Sequence, residues 1–429
     1  MRIGLLDHMG YGNLGDAAIQ EVVIANIRKR LPNADIVGFS LVPDDTDKRH
    51  GIPCYPIRRL YPMLQNVANQ SPGRMNFKTR VKSALKNNAF IRPWAKPLLN
   101  LAREFVNEMV FCVRSYCVLR SLDALVISGG GQLCELWYGP WSHPYTVFKF
   151  CLLAKLARKK LYFLNVGAGP LEHPLSRLFA RWAVRFGDYR SFRDRDSQEL
   201  VRSLGVRATT YVYPDPVYAL QVGINGNGAS PNASKPIIIG LNPIGFCDPR
   251  IWPRKDNFVY KDYLEKITRF STWLLEQGYT LRVFTTETSV DQHVLEDLKA
   301  RLHSRFSSPE VINQIFRSPS ESVNDLLREM SGFDFIVTSK FHGIIFSHLL
   351  GKPVIALSYQ RKMDVAMQAV GQDRFCADIE RFDIDWLVKS FLLLVCEGED
   401  IKLRSAAAVE ANVAMLSQQF DSLFLPKDS

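Results

Sequence analysis

The sequence predicts an α/β protein built from two doubly wound, Rossmann-like domains, and three observations lead there. The chain has 429 residues, more than one hydrophobic core of ordinary size accommodates. In both halves, short apolar runs alternate with stretches of helical periodicity, the pattern of parallel sheets covered by helices. Residues 223–235, GINGNGASPNASK, are rich in Gly, Asn and Ser and read as a linker between the halves. The expected boundaries are therefore 1–222 for the first domain, 223–235 for the linker and 236–429 for the second domain.

In the first domain, residues 2–7, RIGLLD, read as an opening strand, and the turn GYGNLGD (10–16) leads into an amphipathic helix over 17–30. Glycines in such a turn let backbone approach a ligand, and Asp16 is placed either to cap the helix or to meet a hydroxyl. A strand over 34–40 precedes a polar loop, DDTDKRH (44–50), and an irregular basic insertion over 62–97. The run 98–119 puts Leu98, Leu101, Phe105, Met109, Val113 and Tyr116 on one helical face. That face suits either the domain core or a membrane surface, and core packing is the expectation.

A buried strand over 124–128 ends in Gly129, Gly130 and Gly131, and another over 161–166 ends in GAGP. Glycines weaken a fold unless close approach or unusual dihedrals require them, so both strand ends point to one ligand-facing edge. After a helix over 175–186, the segment 188–205 runs a short strand into Arg193 and Asp194, with Asp196 or Ser197 expected to cap the next helix. The planar fork of an arginine at such an edge suits a phosphate or carboxylate; the alternative is a surface Arg193–Asp194 network. A strand and turn over 211–220 close the domain.

The second domain repeats the plan with strands over 236–243 and 280–286, and helices over 260–277, 291–303, 322–330, 384–396 and 401–420. Between them lies TSKFHGIIFSHLLGKPVIALSYQRKMD (338–364), read as the end of a strand, a polar turn, a helix over 341–350, a strand over 353–357 and a basic turn. Ser339, Lys340, His342 and Lys362 fall at strand ends and helix starts, where unpaired backbone N–H groups favour an anion. Taken singly, they also read as solvated lysines and an ordinary helix-start histidine. The expected site is a cleft between the domains.

Composition narrows the class. Apolar content of 47% and charged content of 23% are those of a soluble globular protein. Without a signal-like start or a membrane-length apolar run, the expected location is the cytoplasm. The eight cysteines form neither a CxxC pair nor a Cys/His cluster with zinc spacing, so no metal site or disulfide frame is expected. The net charge of +11 is concentrated in residues 51–120, where twelve Lys/Arg face two acids, Glu104 and Glu108. Such an excess suits membrane headgroups, a diphosphate-linked carrier or an acidic polysaccharide, or else is a solvated face. No nucleic-acid-binding motif accompanies it, so nucleic acid is not an expected partner.

The turn GYGNLGDAAI, the strand end SGGGQL, the FRDRDS segment and the TSKFHG to QRKMD unit, in this order over roughly residues 9–365, resemble the polysaccharide pyruvyl transferase family. The resemblance implies a GT-B-like fold, phosphoenolpyruvate (PEP) as donor substrate and a pair of sugar hydroxyls as acceptor. The implied product is a pyruvate ketal made during exopolysaccharide, capsule or cell-wall polysaccharide biosynthesis. Matched position by position, the family's PEP-binding arginine falls on Arg193, its histidine on His342 and its downstream basic residue on Lys362. Lys340 stands where the family often has Arg, which replaces a bidentate contact by a point charge.

On this resemblance His342 is the expected proton donor to the PEP methylene carbon, or a phosphate ligand. Asp16 is expected to contact or deprotonate the acceptor hydroxyl, and Asn13, Gly15, Gly129, Gly130 and Gly131 to supply acceptor or backbone contacts. Neither a metal nor a cofactor is expected. The expected partners are a saccharide acceptor, free or lipid-linked, and an anionic membrane surface touched peripherally from the inner face. Two other readings stay open. One is a GT-B-type glycosyltransferase using a nucleotide sugar, with Glu287 and Asp364 as weak ribose-binding candidates; the other is a non-catalytic acceptor-binding protein of a polysaccharide assembly complex.

Overall fold

The computed structural model describes residues 1–7, 10, 12–59, 92–137, 139–222, 236–306 and 308–425. The predicted linker and most of the basic insertion lie outside these residues. Two parallel sheets organise the rest. The first contains β1 (Arg2–Leu6), β2 (Asp35–Ser40), β3 (Cys54–Pro56), β4 (Ala124–Ser128), β5 (Lys160–Val166), β6 (Tyr189–Phe192) and β7 (Tyr211–Val212), in the order β3-β2-β1-β4-β5-β6-β7. The second contains β8 (Ile238–Asn242), β9 (Thr280–Val283), β10 (Phe335–Thr338), β11 (Val354–Ser358) and β12 (Cys376–Asp378), in the order β12-β11-β10-β8-β9. The central strands are buried and largely apolar, with Ser128, Asn242 and Thr338 at their C-terminal ends, because helices cover both faces.

In each sheet the strand order reverses at one place, and ligands of open α/β sheets bind beyond the strand ends there. In the first sheet that place is between β1 and β4, whose ends carry the GYGNLGD turn and the three glycines. In the second it is between β8 and β10, and the TSKFHG turn leaves β10.

On one face of the first sheet lies α1 (Leu14–Arg30). The other face carries α3 (Arg92–Arg120), α4 (His143–Leu156), α5 (Pro174–Phe186) and α6 (Arg195–Ser203), packed through Leu119, Phe150, Ala183 and Val201. A short α2 (Pro43–His50) follows β2. The second sheet is flanked by α7 (Asn257–Glu276), α8 (Thr288–His303), α9 (Pro309–Ile315), α10 (Val323–Ser331), α11 (Phe341–Leu349), α12 (Arg361–Ala369) and α13 (Ile384–Cys396). The last helix, α14 (Gly398–Phe424), returns to the first domain, where Asp421 pairs with Arg30 at 2.7 Å and Gln419 hydrogen-bonds Asn165.

Five expectations are corrected. The polar loop over 44–50 is helix α2: Pro43 opens it, Asp44 and Asp45 occupy its first turn, and Lys48 and Arg49 its last, which complements the helix dipole without any apolar periodicity. The basic turn after β11 is the start of α12. The cap of α1 is Asn13, whose side chain accepts from the Asp16 backbone N–H at 3.1 Å, and the cap of α6 is Asp194 rather than Asp196 or Ser197. Finally, the face of α3 bearing Phe105, Met109 and Val113 does not pack on the core. Those side chains are 67%, 48% and 57% exposed, and Phe111, Val118 and Leu119 make the core contact instead. Among the described residues no helix is long and apolar enough to cross a membrane.

Candidate functional site

The two reversal points face each other across a cavity of about 190 Å3 between the domains. From the first domain it is lined by Asn13, Asp16, Gly130, Gly131 and Arg193, and from the second by Lys340, His342 and Lys362. Of the remaining candidates, Gly15 lies directly against the His342 ring and Gly129 against Ile19, just behind the lining. Ser339 is turned away, its hydroxyl 2.9 Å from that of Tyr263. Asp364 meets the Cys376 thiol rather than the cavity.

The GYGNLGD turn holds the domains in register. Leu14 N–H donates to the Thr286 carbonyl at 2.9 Å, and Asn13 forms an antiparallel bridge with Glu287. Two glycines permit this approach. A Cβ at Gly12, whose φ is +75°, would lie 2.3 Å from the Thr288 hydroxyl, and one at Gly15 would fall inside the His342 ring, 1.9 Å from Nδ1. The predicted freedom of this turn therefore serves domain–domain contact as well as access to the cavity.

The cations occupy two different surroundings. Lys340 is buried and ion-paired at both sides, 2.8 Å from Asp291 and 3.0 Å from Glu287. Burial alone would lower its pKa, but these two carboxylates outweigh it and hold the ammonium above the usual lysine range. Arg193 and Lys362 instead share the ring of Phe341, at 4.7 and 5.5 Å from its centroid. Arg193 lies 3.5 Å from Asp194 and 3.8 Å from Asp215, and neither its Nε nor Oδ2 of Asp215 has a hydrogen-bond partner among the described residues. Among those residues Lys362 has no ion pair, and burial with the adjacent Arg193 charge brings it down to about 8.

His342 stands in the first turn of α11, and its buried Nε2 has no hydrogen-bond partner among the described residues. Burial first, then the charges of Arg193, Lys362 and Lys340, pull the imidazole down to about 3, so it is neutral at physiological pH. Asp16 is shifted the opposite way. Burial, reinforced by the Asp7 and Glu287 carboxylates, raises its pKa well above the usual carboxylate range despite Lys362. The cavity therefore pairs a proton-free base with a carboxyl inclined to keep its proton. Helices α1, α11 and α12 all begin at its edge, adding the positive ends of three dipoles.

Several lining groups escaped the sequence reading. Asp7, buried under the first-domain wall, accepts from Gln20 at 2.8 Å and from Gln132, fixing the floor beneath Asp16. Trp137 crosses to Trp252 of the second domain with ring centroids 5.3 Å apart, and Trp252 packs on Tyr359 at 5.5 Å. These aromatics form one wall, a surface on which a pyranose face stacks well. Their only sequence signal was isolated aromatics in loops. A wider cleft, lined by Asp194, Asp196, Glu199 and Arg361, meets the cavity at Arg193, Tyr359, Gln360 and Lys362.

Similarity to known proteins agrees with this arrangement. The amylovoran biosynthesis protein AmsJ of Erwinia amylovora is 21% identical over 435 residues, spanning 96% of each chain. Among solved structures, S. aureus MnaA with UDP superposes with a TM-score of 0.58 at 10% identity, over 99% of this chain and 97% of that one. Anabaena Alr3699/HepE in complex with UDP and glucose gives 0.56 at 14% identity, over 98% of each chain. At such identities the structures establish the fold alone, the two-domain GT-B type. The family model for polysaccharide pyruvyl transferase matches residues 13–361, a span that runs from the helix-capping Asn13 to the start of α12 and includes Arg193, Lys340 and His342. The chain belongs to the polysaccharide pyruvyl transferase family.

Proposed function

We propose that the protein transfers the pyruvyl group of PEP to two hydroxyls of a saccharide, forming a ketal during exopolysaccharide biosynthesis. The observation that carries this reading is the corner made by Arg193 and Lys362, two cations on one aromatic ring, of which Arg193 keeps a buried Nε without a hydrogen-bond partner and Lys362 has no ion pair among the described residues. A small, highly charged anion repays the cost of burying such a pair. PEP presents phosphate and carboxylate on a three-carbon frame, and its size suits a cavity of about 190 Å3. The exopolysaccharide context follows from the likeness to AmsJ.

In this scheme a proton is added to the PEP methylene carbon, making it a methyl group, and positive charge develops at the adjacent carbon. One sugar hydroxyl attacks that carbon, the C–O bond to phosphate breaks, and a second hydroxyl closes the ketal. Of the two protons lost by the hydroxyls, one replaces the proton given to the methyl carbon and the other leaves with phosphate. The electrostatics favour Asp16 over His342 as the proton donor, its carboxyl being reprotonated by one hydroxyl while phosphate takes the other proton; His342, held neutral and a weak base by the cations around it, serves as a hydrogen-bonding contact.

The test is incubation with PEP and a saccharide acceptor, following phosphate release and the ketal methyl signal together by NMR. Acceptor-dependent release matched by ketal formation is expected; no PEP consumption, or consumption without acceptor, contradicts the proposal. Asp16→Asn should lower turnover by roughly 10²- to 10⁴-fold while PEP still binds.

A further inference from the structure

We infer that the α3–α5 face of the first domain docks on an anionic lipid bilayer. On α3, Phe105, Val106, Met109, Val110 and Val113 form an apolar ridge at helical spacing, each at least 45% exposed. The ridge does not end with α3. Glu108 of α3 accepts from Lys149 and Tyr145 of α4, Tyr145 packs on Phe179 of α5 at 5.5 Å, and Trp141 lies against both rings. Trp141, Leu178 and Trp182 are 63%, 45% and 41% exposed, so the three helices present one continuous layer with apolar side chains outward. A face of this extent on a water-soluble surface marks an interaction site.

The charges around the ridge select the occupant. Helix α5, PLSRLFARWAVRF, has no acidic residue. Its exposed Arg181 and Arg185 flank Trp182, and the Arg185 guanidinium rests 4.9 Å from that ring. Arg103 and Arg114 bracket the ridge on α3. Among the described residues no ion pair neutralises these four arginines, whereas both acids of α3 are engaged, Glu104 by Arg59 at 2.7 Å and Glu108 by Lys149 at 2.8 Å. Exposed Phe and Trp with unpaired arginines at their rim match the interfacial region of a bilayer, where apolar groups enter the acyl boundary and cations meet headgroup phosphates.

The position has a functional consequence. The loop that supplies Gly130, Gly131, Gln132, Cys134 and Trp137 to the cavity continues directly to Trp141 on this face. Docking therefore brings the site close to the headgroup plane, where a lipid-linked saccharide presents its sugars. The inference does not rest on the donor chemistry, and its test uses no PEP.

The experiment is co-sedimentation of the full chain with phosphatidylcholine vesicles, with and without phosphatidylglycerol. Binding to the anionic vesicles, weakened by added salt, is expected. Arg181→Glu with Arg185→Glu should lower partitioning roughly ten-fold or more, each arginine near the surface contributing about 1 kcal/mol. Phe105→Asp with Met109→Asp should abolish binding at an unchanged melting temperature, since both positions are exposed. Absence of binding to anionic vesicles, or binding indifferent to both double substitutions, overturns the inference. So does sedimentation velocity showing a self-associated protein that the Phe105/Met109 variant splits into monomers without any vesicle binding.

Discussion

The second domain contributes two lysines to the cavity, Lys340 from the end of β10 and Lys362 from the start of α12, and their surroundings contrast. Lys340 sits between Asp291 and Glu287 and is already neutralised. Lys362 shares the Phe341 ring with another cation and has no ion pair among the described residues. A buried charge with its countercharge holds structure together; a buried charge without one is kept at a cost and awaits an anion. The contrast places Lys340 in a structural role, holding the α8 start against the TSKFHG turn, and underlies the proposal that the Arg193–Lys362 corner takes the donor. On that proposal Lys340, expected to give PEP a point-charge contact, lines the cavity with its charge already engaged.

Substitutions at the two corners should break in different ways. The largest effect is expected on stability for Lys340→Met, which leaves Asp291 and Glu287 facing each other: about 3–5 kcal/mol, read as a lowered denaturant midpoint. Arg193→Ala removes a planar donor fork from the other corner and should weaken PEP binding by roughly a hundred-fold or more, two charge-assisted hydrogen bonds being worth about 1.5–3 kcal/mol each. For Lys362→Ala the loss in affinity should be about ten-fold to a hundred-fold. Its melting temperature should hold or rise, because folding no longer desolvates a lone ammonium. A fall in stability as large as that of Lys340→Met would erase the distinction between the corners.

The smallest effect is a pH dependence, and it has opposite signs for stability and for binding. Below about 8 Lys362 is charged both folded and unfolded, so the desolvation penalty is fully present. Between that value and the ordinary lysine pKa of about 10.4 the folded protein sheds the proton first and the penalty lifts. The contribution of Lys362 to stability therefore rises with pH across this window, while affinity for PEP falls above about 8 as the charge is lost. Lys362→Arg should flatten the binding profile, and titration calorimetry across this range checks it.

Much of this was legible in the residues. The strand ends with their glycines, the FRDRDS edge and the TSKFHG unit all report local backbone geometry; the GYGNLGD turn, the three glycines and the TSKFHG unit lie where a sheet reverses its strand order, and Arg193 reaches the same cavity from the end of β6. What stayed hidden depends on contacts distant in sequence. Nothing near Lys340 announces that Asp291, on another helix, neutralises it, and nothing near Trp137 announces Trp252. Helix α2 lacks apolar periodicity because it is stabilised by its charges, and α4 buries Val147, Phe150, Cys151 and Ala154 within a nearly continuous apolar run. On α3 apolar residues occur on two sides, so periodicity alone chose the wrong one for the core.

The central claim, that the donor anion is held at the Arg193–Lys362 corner and not at Lys340, is tested most directly by titrating PEP calorimetrically into the unsubstituted protein, Lys362→Ala and Lys340→Met below the unfolding temperature of each. The account predicts that Lys362→Ala loses about ten-fold or more in affinity while Lys340→Met, though less stable, binds nearly as well as the unsubstituted protein. Undiminished binding by Lys362→Ala together with lost binding by folded Lys340→Met would contradict it.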